Sequence, residues 1–440
     1  MFSGLYNAGL LAYKIGLQLA APFNPKARQW VVGRRGWVAN LTRKLSGNEA
    51  PIAWFHAASL GEFEQGRPVM EAYRVQYPDH KIMLTFFSPS GYEVRKNYAG
   101  ADFVLYLPAD TPANARQFVA LLNPRIAFFI KYEFWYNYLR ELKAANVPVV
   151  SFSAIFRPNQ LFFKPWGGFY RSVLGYFDHI LVQNQESVQL LDAIGVRNVT
   201  LAGDTRFDRV AQVATDTREI PLAQLFKNGR DDRYRTGAPA GAGPKPVLVI
   251  GSAWQADMEV LIPFINQFDK PLKVIVAPHD IHDDEIERWR GQLRNPSVRY
   301  SEIATDQTRV STATTGQNPQ TLFIDNVGML ASLYQYGEFA YIGGAFGRGL
   351  HNVLEAATFG MPLFFGPNYG KFQEAIDLTT EGAAFPIGNT AEFTAAFAEQ
   401  YADRTKAARI SRDYVQRNIG ATGKVMGVIN SCFKHREKRG

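Results

Sequence analysis

From Ile52 onward, short apolar runs alternate with segments of helix length. IAWFHA, KIMLTFF, DFVLYL, RIAFFI, VPVVSFS and HILVQ read as strands, with helical patterns between most of them. Strands alternating with helices predict a parallel α/β architecture. The pattern runs to Gly195–Asp208 and is then broken by NGRDDRYRTGAPAGAGPKP, residues 228–246, rich in Gly, Pro and charge. That composition marks a linker. A second series begins at VLVIGSAW and continues through KVIVAPH, TLFID, EFAYIGG and MPLFFGP. Two Rossmann-like halves are thus expected, with a cleft between them where α/β proteins bind ligands at strand C-terminal ends. The helical segment Thr390–Arg417 is expected to cross back and brace the first half.

Ahead of the first strand lies Phe2–Phe23, apolar except for Ser3, Asn7, Lys14 and Gln18. At about 100° per residue these four fall in one narrow sector of a helical wheel. Lys26, Arg28, Arg34, Arg35, Arg43 and Lys44 follow. A secretory signal would carry its charge before the apolar run and a small-residue cleavage site after it, and neither is clear here. Three readings stand: a tilted membrane span, an interfacial anchor, or a helix packed on its own domain. The first two place the basic cluster on the cytoplasmic side, beside anionic lipid.

Composition narrows the class. Hydrophobic residues make up 46% and aromatics 13% of the 440 residues, which excludes a largely disordered protein and suits two cores. The formal charge of +8 points to an acidic partner, nucleic acid or an anionic membrane, and no RNA-binding signature is present. A single cysteine, Cys432, permits no internal disulfide, so reducing cytoplasm is the natural compartment.

Four segments carry candidate chemistry. Tyr341–Pro367 reads as strand, glycine-rich loop, helix, strand. Gly343, Gly344, Gly347 and Gly349 allow a close approach of backbone to a ligand, and Glu355 in the helix can accept from ribose hydroxyls. A plain glycine-rich turn fits the same spacing. Glu62, in FHAASLGEFEQGRPV, sits where a strand gives way to a helix and can act as general base on an acceptor hydroxyl. Ser59-Leu60-Gly61-Glu62 equally matches a helix capping box. Glu133, in IKYEFWYNYLRE, again follows a strand and precedes a helix, where the dipole alone would favour an acid. Arg206, in AGDTRFDRV, can pair with phosphate or carboxylate, or form a salt bridge to Asp204 or Asp208. His279 and His282 are three apart among acids, but no third ligand is fixed by spacing, so no metal site is expected.

Together these residues resemble the lipid A 3-deoxy-D-manno-octulosonic acid (Kdo) transferases, bacterial GT-B glycosyltransferases of lipopolysaccharide assembly, over nearly the whole chain. The family motif HAASxGE appears as His56 to Glu62, and the family's catalytic base falls on Glu62. The family's TE-aliphatic-WPN segment appears as Tyr132 to Asn137, keeping Glu133 and Trp135 and losing the Thr and Pro. Its GNxKFD segment is Gly203 to Asp208, where Arg206 keeps the positive charge that the resemblance implies stabilises the transition state with Glu133. In the second half GGHNxLEPA matches Gly349 to Ala357, which implies that Asn352, Val353, Leu354 and Glu355 hold the CMP moiety. PRHPER is reduced to Pro278-His279, DTxGEL survives as Asp325 to Leu330 with Gly328, Met329 and Leu330 at the nucleotide contact, and GSTHxGEE becomes Gly251 to Met258.

The resemblance implies an α/β GT-B fold of two Rossmann-like domains with an interdomain cleft, plus an N-terminal membrane-associated helix. Its parts would be an anchor and basic segment (1–45), an acceptor domain (46–227), the linker (228–246) and a CMP-Kdo domain (247–440). The implied reaction is inverting transfer of Kdo from CMP-Kdo to a lipid A precursor, lipid IVA, with no cofactor and no catalytic metal. Glu62, Glu133 and Arg206 are the catalytic residues expected. The partners expected are CMP-Kdo, the lipid A precursor and the anionic inner-membrane surface at its cytoplasmic face, and not nucleic acid. Two alternatives are a sugar-nucleotide 2-epimerase of the same fold and a catalytically silent membrane-attached protein that binds CMP or lipid A.

Overall fold

A computed structural model describes residues 2–228, 245–305, 319–347 and 349–437. Most of the linker expected at 228–246 lies outside the described residues. The chain forms two compact units, Met1–Arg209 with Asn418–Gly440, and Val210–Arg417.

The first unit holds a seven-stranded sheet, all parallel, in the order β3-β2-β1-β4-β5-β6-β7. Its strands are β1 (Ile52–Ala57), β2 (Lys81–Phe86), β3 (Phe103–Tyr106), β4 (Ile126–Ile130), β5 (Val149–Ala154), β6 (His179–Val182) and β7 (Val199–Leu201). The strand β1 reads as an unbroken apolar run because helices cover both faces of the sheet. Ala53, Phe55 and Ala57 pack on one side with Phe63, Val69 and Tyr73, and Ile52 and Trp54 pack on the other with Phe118 and Phe129.

The second unit repeats the design in the order β10-β11-β9-β8-β12-β13-β14. The strands are β8 (Val247–Ala253), β9 (Lys273–Pro278), β10 (Ser297–Arg299), β11 (Thr321–Phe323), β12 (Phe339–Ile342), β13 (Leu363–Phe365) and β14 (Ala384–Pro386). Every run expected as a strand is one. Of the three that escaped notice as separate strands, β7, β10 and β14, each spans three residues at a sheet edge, too short for periodicity to register.

The domain limits differ from expectation at two places. The helix Pro221–Asn228 belongs to the second unit, tied there by Ile220 N donating to Tyr336 Oη at 2.7 Å. The helix Thr390–Ala402 does not cross back, because Phe393 and Phe397 lie one turn apart and fill the second core beside Phe264 and Phe339. The bracing segment is instead Ala421–Glu437, whose Val425, Ile429 and Phe433 join the first core. Asp208 caps its start by accepting from Gly420 N and Thr422 N, both at 2.6 Å.

Three helices precede β1: α1 (Phe2–Ala20), α2 (Pro25–Val32) and α3 (Trp37–Leu45). The helix α1 docks by its polar sector. Tyr6 Oη donates to Asp110 at 2.6 Å, and Asn137 Nδ2 donates to Asn7 Oδ1 at 2.9 Å. Its apolar side faces out, with Leu5 65% and Leu19 71% exposed. That is the reverse of a surface helix on a water-soluble core. Among the described residues no helix is long and apolar enough to cross a membrane, so the tilted-span reading has no support.

Buried Arg34 closes this region. Its guanidinium donates to the carbonyls of Leu107, Trp30 and Phe87 and lies 4.0 Å from the centroid of the Trp30 ring. Burial pulls its pKa down to about 9. Arg34→Met should lower the unfolding free energy by about 2–5 kcal/mol in urea titration, because acceptors are left unpaired in the core.

Candidate functional site

In an open parallel sheet the ligand crevice lies where strand order reverses, outside the strand C-termini. In the first unit the reversal falls between β1 and β4. The segment after β1 carries Glu62, and the segment after β4 carries Glu133, so sheet topology alone sets both carboxylates at the switch point.

Glu62 is the third residue of α4 (Leu60–Gln76), with Ser59 as N-cap. Its Oε2 accepts from Ser59 N at 3.0 Å and from the Ser59 hydroxyl, so the capping box is formed. Both bonds use Oε2, which leaves Oε1 outside the cap. The two readings of this residue are therefore compatible. The start of α4 is held tight to β4, since a Cβ on Gly66 would lie 2.3 Å from Ile130 Cδ1.

Glu133 is 8% exposed. Its Oε2 accepts from Trp135 Nε1 at 2.6 Å and lies 3.3 Å from His56 Nε2. His56 is fully buried, with Nδ1 2.9 Å from Thr85 Oγ1, and Thr85 in turn accepts from Trp54 Nε1 at 2.8 Å. The Thr85 hydroxyl keeps a second lone pair and has the Phe55 carbonyl within reach as an acceptor at 3.4 Å. His56 Nε2 in turn lies 3.1 Å from Trp135 Nε1, so the imidazole, the indole and the Glu133 carboxylate meet at one point. One oxygen of this nearly buried carboxylate is thus held by the Trp135 indole and packed against His56 Nε2. Lys131, at φ 68, turns the chain into this loop in the left-handed region that non-glycine residues avoid. His56 was not expected as a functional residue. It stands inside an apolar strand, and its partners come from β2 and from the loop after β4.

Arg206 is ion-paired. Its N donates to Asp204 Oδ1 at 2.9 Å and its Nε to Oδ2 at 2.8 Å. Asp204 is buried, which by itself would raise its pKa, but the Arg206 charge and hydrogen bonds hold the carboxyl below the usual range. Tyr132 joins the groups of this end of the sheet. Burial raises its hydroxyl's pKa, Arg157 pulls it down from 3.0 Å, Glu62 pushes it up, and Arg206 lowers it. Tyr132 therefore lies within the fields of both Glu62 and Arg206, with Glu133 next to it in the chain.

Because it neutralises a buried acid, Arg206→Ala should cost about 3 kcal/mol in urea unfolding, at the low end for a broken buried pair since Gln65 still donates to Asp204. Arg206→Lys should keep most of that stability. The sign with pH follows from the depressed carboxyl: its contribution is present above the unfolded pKa of about 4 and is lost as pH falls through the folded value.

The second unit reverses between β8 and β12. After β12, Gly344 (φ 95) and Gly349 (φ 146) take positive φ, whereas Gly347 does not. A Cβ on Gly343 would lie 2.1 Å from Ser252 O. Buried Asp257 fastens the loop by accepting from Gly344 N at 3.0 Å, Trp254 N at 3.0 Å and Tyr341 Oη at 2.9 Å. It too went unread in the sequence. The helix expected after the loop is a single turn, Leu354–Ala357, ended by Gly360 in the left-handed region before Pro362. Asn352 Nδ2 donates to Glu355 Oε1 at 3.1 Å, and both side chains are half-buried. Val353 and Leu354 are buried, so their side chains serve the core and only their backbone can meet a ligand.

Pro278 ends β9, and exposed His279 follows it. The His279 ring stacks at 4.3 Å on Trp254 and at 4.4 Å on His351, and Trp254 Nε1 donates to His351 Nε2 at 3.1 Å. Burial, then the neighbouring His279, lowers the pKa of His351 to about 4, so the His351 ring is uncharged at neutral pH. Gly328 (φ 86), Met329 and Leu330 form the turn after β11. His282 begins the helix Asp283–Gln292. Among the described residues no group of three or more His, Cys, Asp or Glu is arranged to hold a metal ion.

Comparison with known proteins gives a consistent result. Residues 32–209 match the family model described as 3-deoxy-D-manno-octulosonic-acid transferase. Relatives of that name come from Bordetella pertussis, 27% identical over 86% of this chain and 88% of theirs, and from Aquifex aeolicus, 25% identical over 79% and 85%. Among solved structures, Acinetobacter baumannii MurG aligns with a TM-score of 0.53 at 13% identity, over 87% of this chain and 99% of that one. Staphylococcus aureus MnaA with UDP gives 0.55 at 10% identity, over 87% and 97%. These structural likenesses establish a GT-B-like fold of paired Rossmann-like units.

Proposed function

We propose that this chain is a 3-deoxy-D-manno-octulosonic acid transferase, like the relatives it resembles, and that it transfers Kdo from CMP-Kdo to lipid IVA with inversion at the anomeric carbon. Glu62 takes the proton of the attacking acceptor hydroxyl as the bond from Kdo to phosphate breaks. Positive charge develops at the anomeric carbon in such a transition state, and the fixed carboxylate of Glu133 stabilises it. Arg206, with one face on Asp204, balances negative charge on the Kdo carboxylate or the departing CMP.

The observation that carries this reading is the placement of Glu62 and Glu133 after the two strands that flank the first switch point. A sugar-nucleotide epimerase would share the fold, and the match of residues 32–209 to the Kdo transferase family model favours transfer over it. The test is incubation with CMP-Kdo and lipid IVA followed by mass spectrometry of the lipid. A mass increase of one or more Kdo units supports the reading; release of free Kdo or an unchanged lipid overturns it.

In the second unit, Asn352 and Glu355 bind the cytidine ribose. The backbone of Gly328 to Leu330 and of Val353 and Leu354, with Pro278 and His279, completes the nucleotide site. Glu355→Ala should weaken CMP binding about ten- to hundredfold by calorimetry, and leave acceptor affinity unchanged. Unchanged CMP affinity would return Glu355 to a structural role beside Tyr334.

The outward apolar face of α1 and the basic residues that follow it support residence at the cytoplasmic face of the inner membrane. There α1 would lie in the interface, with its polar side bonded to the protein rather than to water.

A further inference from the structure

A second apolar element lies beside α1. Residues 161–167 form a closed loop, in which Arg171 donates to the carbonyls of Phe162 (3.1 Å) and Lys164 (2.9 Å) and Gly167 N donates to Lys164 O at 2.9 Å. A Cβ on Gly167 would lie 2.0 Å from Leu161 O, so only glycine closes the loop this tightly. Phe162 anchors it in the core, packed against Phe156 and Phe134. What the loop presents outward is apolar: Trp166 is 68% exposed and Leu161 44%. A water-facing loop gains nothing from a rigidly held, exposed tryptophan. Large exposed apolar groups on a built scaffold mark an interaction surface.

Charge identifies the partner. Residues 1–48 carry seven basic side chains and no acidic one, and residues 155–177 carry three and none. The C-terminal stretch 404–440 is basic as well, but it includes Asp413 and Glu437, whereas these two stretches hold no acid at all. Tyr6 of α1 meets Phe169, three residues beyond Trp166, with ring centroids 5.8 Å apart. The two positive, apolar stretches are thus neighbours in one unit. Tryptophan, leucine and lysine side by side, without acids, suit the headgroup level of an anionic bilayer.

We propose that the loop 161–167 is a second membrane-contact element that inserts Trp166 and Leu161 into the anionic interface beside α1. This rests on the membrane reading of α1 and adds a second point of attachment, which would fix how the first unit is turned toward its lipid acceptor. A single helix leaves rotation about its axis unconstrained; two contacts do not.

The test uses the full-length protein and vesicles of phosphatidylethanolamine with phosphatidylglycerol. Leu161→Ser/Trp166→Ser should reduce vesicle partitioning about tenfold or more, with the melting temperature unchanged because both side chains are exposed. In a Cys432→Ser background, Trp166→Cys carrying an environment-sensitive dye should shift to the blue on vesicles and be quenched by lipid-borne nitroxides. Unchanged partitioning of the double variant, or a dye that stays in water while the protein sediments, overturns the loop's role and leaves the reading of α1 standing. In the first of these cases the exposed Trp166 belongs to a protein partner instead. A wild-type protein that does not bind the vesicles at all overturns both.

Discussion

Glu62→Gln should abolish transfer while leaving the fold intact, with turnover falling about 10²–10⁴-fold, as expected for loss of a general base. The choice of glutamine follows from the geometry. Glu62 Oε2 accepts from Ser59 N and from the Ser59 hydroxyl, and a capping box tolerates Gln as well as Glu at this position. The start of α4 therefore survives the substitution, whereas the amide cannot accept the acceptor's proton. Glu62→Ala removes both functions and reads them out together, with about 0.5–2 kcal/mol lost from the cap. The discriminating measurement is turnover in Glu62→Gln beside its thermal unfolding and its affinity for CMP. Near-wild-type turnover would make Glu62 a cap and nothing more. Lost turnover together with lost stability would point to a collapsed α4 start.

How legible this was in the sequence depends on the range of the interactions involved. Glu62, Glu133 and Arg206 stand out as candidates because each is a charged residue just after a strand-like run, and strand C-termini of a parallel sheet are where ligands bind. The internal strands were equally plain, since burial on both faces turns them into apolar runs. His56 and Asp257 could not be found that way. One lies within such a run, and the other holds together Trp254, Tyr341 and Gly344, positions far apart in the chain. For α1 the periodicity was visible but its sense was not. An amphipathic pattern says nothing about which face turns inward, and the usual assumption of apolar side in is overruled here by Tyr6 on Asp110 and Asn7 on Asn137. Because Asp110 also accepts from the N–H groups of Asn137 and Tyr138, which open the helix after Glu133, α1 supports the loop that carries Glu133 as well as facing outward.

The second large effect expected is at Glu133. Glu133→Gln should lower turnover about 10²–10³-fold, the scale for removing a preorganised electrostatic group, with little change in KM for either substrate. The amide oxygen can still accept from Trp135 Nε1, so position is preserved and only the charge is lost. His56→Ala does the converse. The carboxylate stays charged but loses the ring packed against it at 3.3 Å, and Thr85 loses one of its hydroxyl's partners. If charge and placement both matter, each single variant is slow, and Glu133→Gln/His56→Ala is little slower than the worse of them, because a disordered neutral group has nothing left to misplace. If His56 is only a core residue, its loss should instead lower the melting temperature and leave the turnover of folded enzyme unchanged. A fall in turnover that is accompanied by a matching rise in KM would assign Glu133 to substrate binding and remove it from the transition state.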